Sequence, residues 1–322
     1  RGVGKTTFLL QYAKEKFGFD RSCLFVNMNN FYFSQYSLVD FAGEFVKRGG
    51  KVLLIDQVFK LPDWSHDLRI CYERYPNLKI VFTGSSVMRL KDENPELNGI
   101  VRSYNLRGFS FREFLNLQTG NHFSSYSLEE ILTNHEHIAK TILPHTNPLN
   151  YFQDYIHHGF YPFFLEKRYF SENLLKTMNM MIEVDILLIK QIELKYLSKI
   201  KKLLYLLAVD GPVAPNVSQL AADIQTSRAT VMNYIKYLAD ARLINMVYPK
   251  GEVFPKKPAK IMMHNTNLMY SIYPVKVEEQ DVLETFFVNS LWKDHKVNKG
   301  EKGTSFLVDE SLNFRICSEG YK

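Results

Sequence analysis

Gly4, Lys5 and Thr6 stand in the order that a phosphate-binding loop requires. The full pattern is G-x-x-x-x-G-K-[S/T]. Arg1-Gly2-Val3-Gly4-Lys5-Thr6-Thr7 supplies its closing part, so the opening glycine is expected ahead of Arg1. In such a loop successive backbone N–H groups turn toward phosphate oxygens, a conformation that glycine adopts without steric cost. Lys5 is expected to reach the β- and γ-phosphates of a nucleotide, and the Thr6 hydroxyl to hold Mg²⁺. The phosphate set is therefore Gly2, Val3, Gly4, Lys5, Thr6 and Thr7. Phe8 to Ala13 then continues as a helix whose N-terminus faces the anion.

Two later stretches complete this chemistry. Lys51-Val52-Leu53-Leu54-Ile55-Asp56 is an apolar run closed by an acid, the form of a buried parallel strand with a carboxylate at its end. Asp56 is the expected second Mg²⁺ ligand of an ATP-binding site. Lys79-Ile80-Val81-Phe82-Thr83-Gly84-Ser85-Ser86 is a second such run, ending in small polar residues able to touch a γ-phosphate or the attacking water. A loop and two strand ends converging on one crevice make a chance match of the first motif improbable.

Positioning these groups requires strands and helices in alternation, and residues 1 to about 115 supply them. Strands are expected at Ser22–Met28, 51–56 and 79–83, and helices after the loop, over Ser37–Val46 and over Trp64–Tyr75. That order predicts an α/β domain with a parallel sheet covered on both faces. The chain has 322 residues, room for two or three domains, and its 46% hydrophobic content can build their cores. A net charge of +6 permits an acidic partner without demanding one. Cys23, Cys71 and Cys317 are scattered and odd in number, which points to a reducing cytoplasm and away from a disulfide frame or zinc site. No apolar run approaches the ~20 residues needed to span a membrane, and no signal peptide is visible.

From 116 to 195 the pattern is helical, the expected lid or linker, with a start at Ser127-Leu128-Glu129-Glu130 and a Leu-, Ile- and Met-rich helix from Glu172 to Lys190. His157-His158 lacks the spaced partners of a metal site and is expected to be packed or solvent-facing. Residues 196–262 are expected to form a winged helix-turn-helix, with Ser227 capping a third helix that buries Val231, Tyr234, Ile235 and Leu238. That helix would expose Arg228, Thr230, Asn233 and Lys236, residue types that read bases and phosphates; equally, the module could pack on protein. Residues 263–322 carry a helix around Val282–Leu291 and two strands, Ser305–Asp309 and Leu312–Cys317, a small α/β piece that ends as an incomplete sheet.

Together, Gly4-Lys5-Thr6-Thr7, Leu54-Ile55-Asp56-Gln57-Val58-Phe59-Lys60-Leu61-Pro62-Asp63-Trp64, and Thr83-Gly84-Ser85-Ser86 followed by Phe109-Ser110-Phe111-Arg112-Glu113-Phe114 resemble the AAA+ ATPases of Bacteroidetes and archaea that carry a C-terminal domain of unknown function. The resemblance covers most of the chain. It implies that Lys5 and Thr6 bind phosphate and Mg²⁺, that Asp56 holds Mg²⁺, that Ser85 is a sensor on the fourth strand, and that Arg102 is the arginine ahead of the S-F-R-E-F segment. Where the family has a glutamate to polarise the attacking water, this chain has Gln57, which can hydrogen-bond that water but not take its proton. ATP is expected to bind and to be hydrolysed poorly, whether the change is natural or engineered. The resemblance also implies a restriction-endonuclease-like C-terminal domain whose helix glutamate is Glu284. Ser305 and Arg315 stand where its other two carboxylates belong, so metal-dependent cleavage is not expected.

These readings predict a cytoplasmic ATPase with ATP and Mg²⁺ as cofactors, working as a nucleotide-driven machine or switch. The alternatives are a DNA-binding ATPase whose assembly ATP gates, and a signalling or scaffolding ATPase acting on a protein client. Arg89, Arg102, Arg107 and Arg112 follow the last strand, on segments that face a neighbour in AAA+ rings, which predicts a homo-oligomer.

Overall fold

The computed structural model describes residues 1–88 and 94–318, so Arg89 lies outside the described residues. The described chain divides into two units. One comprises Arg1, residues 3–107 and residues 183–192; the other comprises Gly2, residues 108–182 and residues 193–318.

In the first unit, helix α1 (Lys5–Phe17) is followed by β1 (Cys23–Asn27), α2 (Leu38–Lys47), β2 (Val52–Asp56), α3 (Trp64–Arg74) and β3 (Lys79–Phe82). The strands form a parallel sheet in the order β1-β2-β3. All five residues of β2 are buried, which is why its sequence is a continuous apolar run rather than an alternating one. Pairing of Asn27 with Asp56, and of Ile55 with Phe82, brings the carboxyl ends of the three strands level. Ser37 starts α2 by accepting the Asp40 N–H, and Leu38, Val39, Ala42 and Phe45 then turn inward at helical spacing. They join Leu53, Ile55, Val58, Leu68 and Cys71 in one core cluster; on the other face Leu9 of α1 packs with Val52 and Leu54.

The second unit begins with α4 (Phe111–Thr119) and α5 (Leu128–Ile142), both opened by capping boxes, Ser110 with Glu113 and Ser127 with Glu130. Next come α6 (Leu149–Asp154), a π-helical turn at Tyr155–Gly159, and α7 (Phe170–Met180). The helix expected over 172–190 is continuous but not uniform: α7 passes through a π-helical turn, Met181–Ile186, into α8 (Leu187–Ile189). Residues 183–192 of this stretch belong to the first unit. The first π turn is held by Asn267, fully buried, whose Nδ2 donates to the carbonyls of Tyr155 (3.0 Å) and Ile156 (2.8 Å) and whose Oδ1 accepts the Phe160 N–H at 3.0 Å. His157 stacks on Tyr270 with ring centroids 3.7 Å apart, and His158 meets Phe170 edge-on.

Three helices follow, α9 (Leu197–Asp210), α10 (Val217–Asp223) and α11 (Arg228–Asp240), then an antiparallel pair, β4 (Ile244–Val247) and β5 (Lys260–Met263). Ser227 caps α11 by accepting the Thr230 N–H, and Val231, Tyr234, Ile235 and Leu238 are its buried face. The unit closes with α12 (Thr266–Ile272), α13 (Glu279–Leu291) and an antiparallel meander of β6 (Val297–Lys299), β7 (Phe306–Val308) and β8 (Leu312–Phe314). The strand β6 was not apparent in the sequence, because Val297-Asn298-Lys299 is too short and polar to carry a period-two signal. No helix among the described residues is long and apolar enough to cross a membrane.

Candidate functional site

Gly4 occupies the N-cap of α1 in the left-handed region (φ 89°, ψ 17°), a conformation in which a side chain would be strained. No side chain caps this end, so the amides of the first turn are directed outward, with Lys5 and Thr6 opening the helix. The Thr6 hydroxyl donates to Asp56 Oδ2 at 2.9 Å. The loop expected to bind phosphate and the acid expected to bind Mg²⁺, fifty positions apart in sequence, are therefore in contact.

Asp56 is almost entirely buried at the end of β2 and takes two further hydrogen bonds. Asn27 Nδ2, at the end of β1, donates to Oδ2 at 3.1 Å, and the Thr83 hydroxyl, just past β3, donates to Oδ1. All three strand ends thus converge on one carboxylate. A hydroxyl and a carboxylate side by side are hard oxygen donors and fit Mg²⁺. No group of three or more His, Cys, Asp or Glu that could hold a metal occurs among the described residues, so a divalent ion at Thr6 and Asp56 would need phosphate oxygens as well.

Gln57 follows Asp56 with φ 58° and ψ 46°, unusual for a residue with a side chain, and its N–H donates to Thr83 Oγ1 at 3.0 Å. Ser85 is half-buried three residues beyond β3, which is the third strand of the described sheet. Its hydroxyl donates to Asp185 Oδ2 at 2.8 Å, and Asp185 Oδ1 accepts from Arg1 Nε at 2.8 Å. Arg1 also lies over the Phe59 ring. Nearby Lys60 has its ammonium pKa lowered, first by burial and then by Arg1, with Asp185 opposing.

The sequence did not single out Asn27 or Asp185. Asn27 ends an apolar strand as Asp56 does, a signal that was there to be read. Asp185 sits within Met181-Ile182-Glu183-Val184-Asp185-Ile186-Leu187, where a second acid only two positions after the exposed Glu183, set among core residues, was the available clue. Gly2 and Val3 precede the cap, Gly2 with a φ of 74°. Thr7 is exposed on the first turn of α1.

Among the arginines, Arg102 is exposed with its guanidinium over the Tyr104 ring at 5.4 Å. Arg107 is half-buried, and Arg112 donates to the Phe123 carbonyl at 3.1 Å. On α11, Arg228 and Asn233 are exposed, Thr230 is engaged in the Ser227 cap, and Lys236 is ion-paired with Asp240. In the C-terminal elements Glu284 is buried, ion-paired with Lys260 and bonded by Gln280; Ser305 Oγ accepts the Ile316 N–H at 3.0 Å, and Arg315 is exposed.

Residues 1–115 match the family model of an AAA domain, and residues 149–276 match that of a domain of unknown function (DUF8612). An uncharacterized protein of Methanocaldococcus jannaschii is 28% identical over 271 residues, covering 80% of this chain. The chain spans 57% of the length of that curated relative. The AAA match and the parallel sheet support an AAA-like, nucleotide-binding P-loop ATPase domain in the N-terminal region.

Proposed function

We propose that the protein binds ATP with Mg²⁺ at Gly2–Thr7 and Asp56, and uses it as a conformational machine or switch in which Gln57 slows hydrolysis. The observation that carries this reading is the 2.9 Å contact between Thr6 and Asp56 at the open N-terminus of α1. The amides of that terminus and the Lys5 ammonium are suited to phosphate. Asp56, fixed by Asn27, Thr6 and Thr83, presents its oxygens in a constant direction. Thr6 and Asp56 would hold Mg²⁺ there, and the ion would supply positive charge against that of the phosphates. Ser85 would contact the γ-phosphate. Gln57 orients a water through its amide but cannot accept a proton.

Titration of Mg·ATP onto the full chain tests this. Binding is expected for the unmodified protein, and Lys5→Ala is expected to weaken it by roughly 10- to 100-fold, the scale of one charged hydrogen bond. No binding by the unmodified protein overturns the reading.

A second reading, that DNA is a partner, draws on one observation: Arg228 and Asn233 are exposed on the capped helix α11, in what we read as a winged helix-turn-helix made by α9, α10, α11, β4 and β5. A salt titration of duplex binding tests it. Affinity should fall steeply with log salt, and Arg228→Ala should make that slope shallower by about one. Absence of binding at low salt ends it. In neither reading do the C-terminal elements cleave DNA: Glu284 is committed to Lys260 and Gln280.

A further inference from the structure

We infer that Asp185 is a latch for Ser85, a buried acceptor that holds the Ser85 hydroxyl proton until the γ-phosphate of ATP takes it. The inference rests on the nucleotide reading above and adds a residue that this reading does not use.

A serine hydroxyl has one proton to donate. Ser85 gives it to Asp185 Oδ2 at 2.8 Å, and Asp185 is only 2% exposed, so water does not compete for that carboxylate. Donation to a phosphate oxygen and donation to Asp185 therefore exclude each other. Release of Ser85 leaves Asp185 paired, because its other oxygen accepts from Arg1 Nε at 2.8 Å. Lys60 adds a second positive charge to the surroundings. Losing one hydrogen bond while keeping an ion partner is a modest change for a buried acid; losing its only partner would not be.

Arg1 stands within the phosphate-loop pattern and Ser85 beyond β3, so a single carboxylate joins both sides of the crevice. It lies in the π-helical turn Met181–Ile186, which continues from α7 without a break. ATP, which has the competing γ-phosphate, withdraws Ser85 from this turn. ADP, which lacks it, leaves the contact in place. The latch thus lowers the preference for ATP over ADP and ties that preference to the state of residues 181–186.

The test is a set of equilibrium dissociation constants for Mg·ATP and Mg·ADP on the full chain, in four forms: unmodified, Asp185→Ala, Ser85→Ala and the double variant. Asp185→Ala is expected to raise the ratio Kd(ADP)/Kd(ATP) roughly tenfold, the scale of a hydrogen bond to a charged group. Ser85→Ala is expected to lower the ratio, and adding Asp185→Ala to Ser85→Ala to change it no further. Asp185→Asn keeps the side-chain size with a weaker, neutral acceptor. It should shift the ratio in the same direction by less, and it serves if the alanine variant does not fold. An unchanged or lowered ratio in the asparagine or alanine variant overturns the latch, as does an equal shift in the Ser85→Ala background. If the unmodified chain binds neither nucleotide, the nucleotide reading falls and the latch with it; binding of both with an unaltered ratio removes the latch alone.

Discussion

The Thr83 hydroxyl donates to Asp56 Oδ1, and its oxygen accepts the N–H of the next residue, Gln57, at 3.0 Å. One threonine thus fixes both the acid at the strand end and the left-handed backbone that follows it. The conformation of position 57 is set by the fold around it, not by the identity of its side chain.

Gln57→Glu should therefore fit without rearrangement and supply a base. ATP turnover is expected to rise by about 10²-fold or more, with nucleotide affinity little changed. Steady-state turnover and Mg·ATP affinity measured on both forms check this. Equal turnover would mean that the water is activated by another group.

The proposal of a homo-oligomer rests on the arginines. Charge developing on a transferred phosphoryl group is commonly offset by an arginine from a neighbour, worth roughly 10³–10⁵ in rate. Arg112 is engaged with a backbone carbonyl, and Arg102 is exposed. We expect Mg·ATP to promote a head-to-tail homo-oligomer, and Arg102→Ala in the Gln57→Glu form to slow turnover. Light scattering with and without Mg·ATP reads the first. A monomer at micromolar concentration in saturating Mg·ATP would rule the assembly out.

Asn267→Ala should be among the most damaging single changes in the second unit. It removes the partners of two buried carbonyls and one buried N–H around Tyr155–Phe160. Each orphaned group costs about 1–3 kcal/mol, so a loss of about 3 kcal/mol or more is expected. Urea unfolding followed by the tyrosine-rich second unit's signal reads it as an earlier midpoint. A midpoint equal to that of the unmodified protein would show that water replaces the amide.

The cysteines should separate by reactivity. Burial pushes the Cys71 thiol up to about 12, with Asp67 adding to the shift. Cys317 is exposed. At pH 8 a thiol-specific dye is expected to modify Cys317 promptly and Cys71 only after denaturant, since the thiolate is the reacting form. Cys23, half-buried with its pKa raised by burial and by Asp20, should react between the two. Three equally fast thiols would contradict the packing of α3.

What could be read in advance follows from periodicity. Val52–Asp56 declares itself because a strand buried on both faces must be apolar throughout, and a lone acid at its end then has to mean something. Ser127 and Ser227 declare helix starts because a hydroxyl three residues ahead of an amide satisfies an orphan donor. Asp185 does not declare itself. Its approach to Ser85 occurs in a π turn, whose five-residue spacing breaks the helical period on which sequence reading relies. Asn267 is hidden likewise, since its partners lie more than a hundred positions earlier and are backbone groups with no residue signature.

The carboxylate that joins Arg1 to Ser85 is 184 positions from the first and 100 from the second. On the ribosome, α1 and the three strands emerge long before residues 183–192. At about 5–20 residues per second, the intervening stretch 108–182 takes several seconds to make. For that interval the nascent first unit has its sheet and its phosphate loop but not the acid that engages Arg1. A fragment cut at residue 107 would remain permanently in that early condition. The loop and sheet of the first unit are thus made well before the acid that meets Arg1 and Ser85.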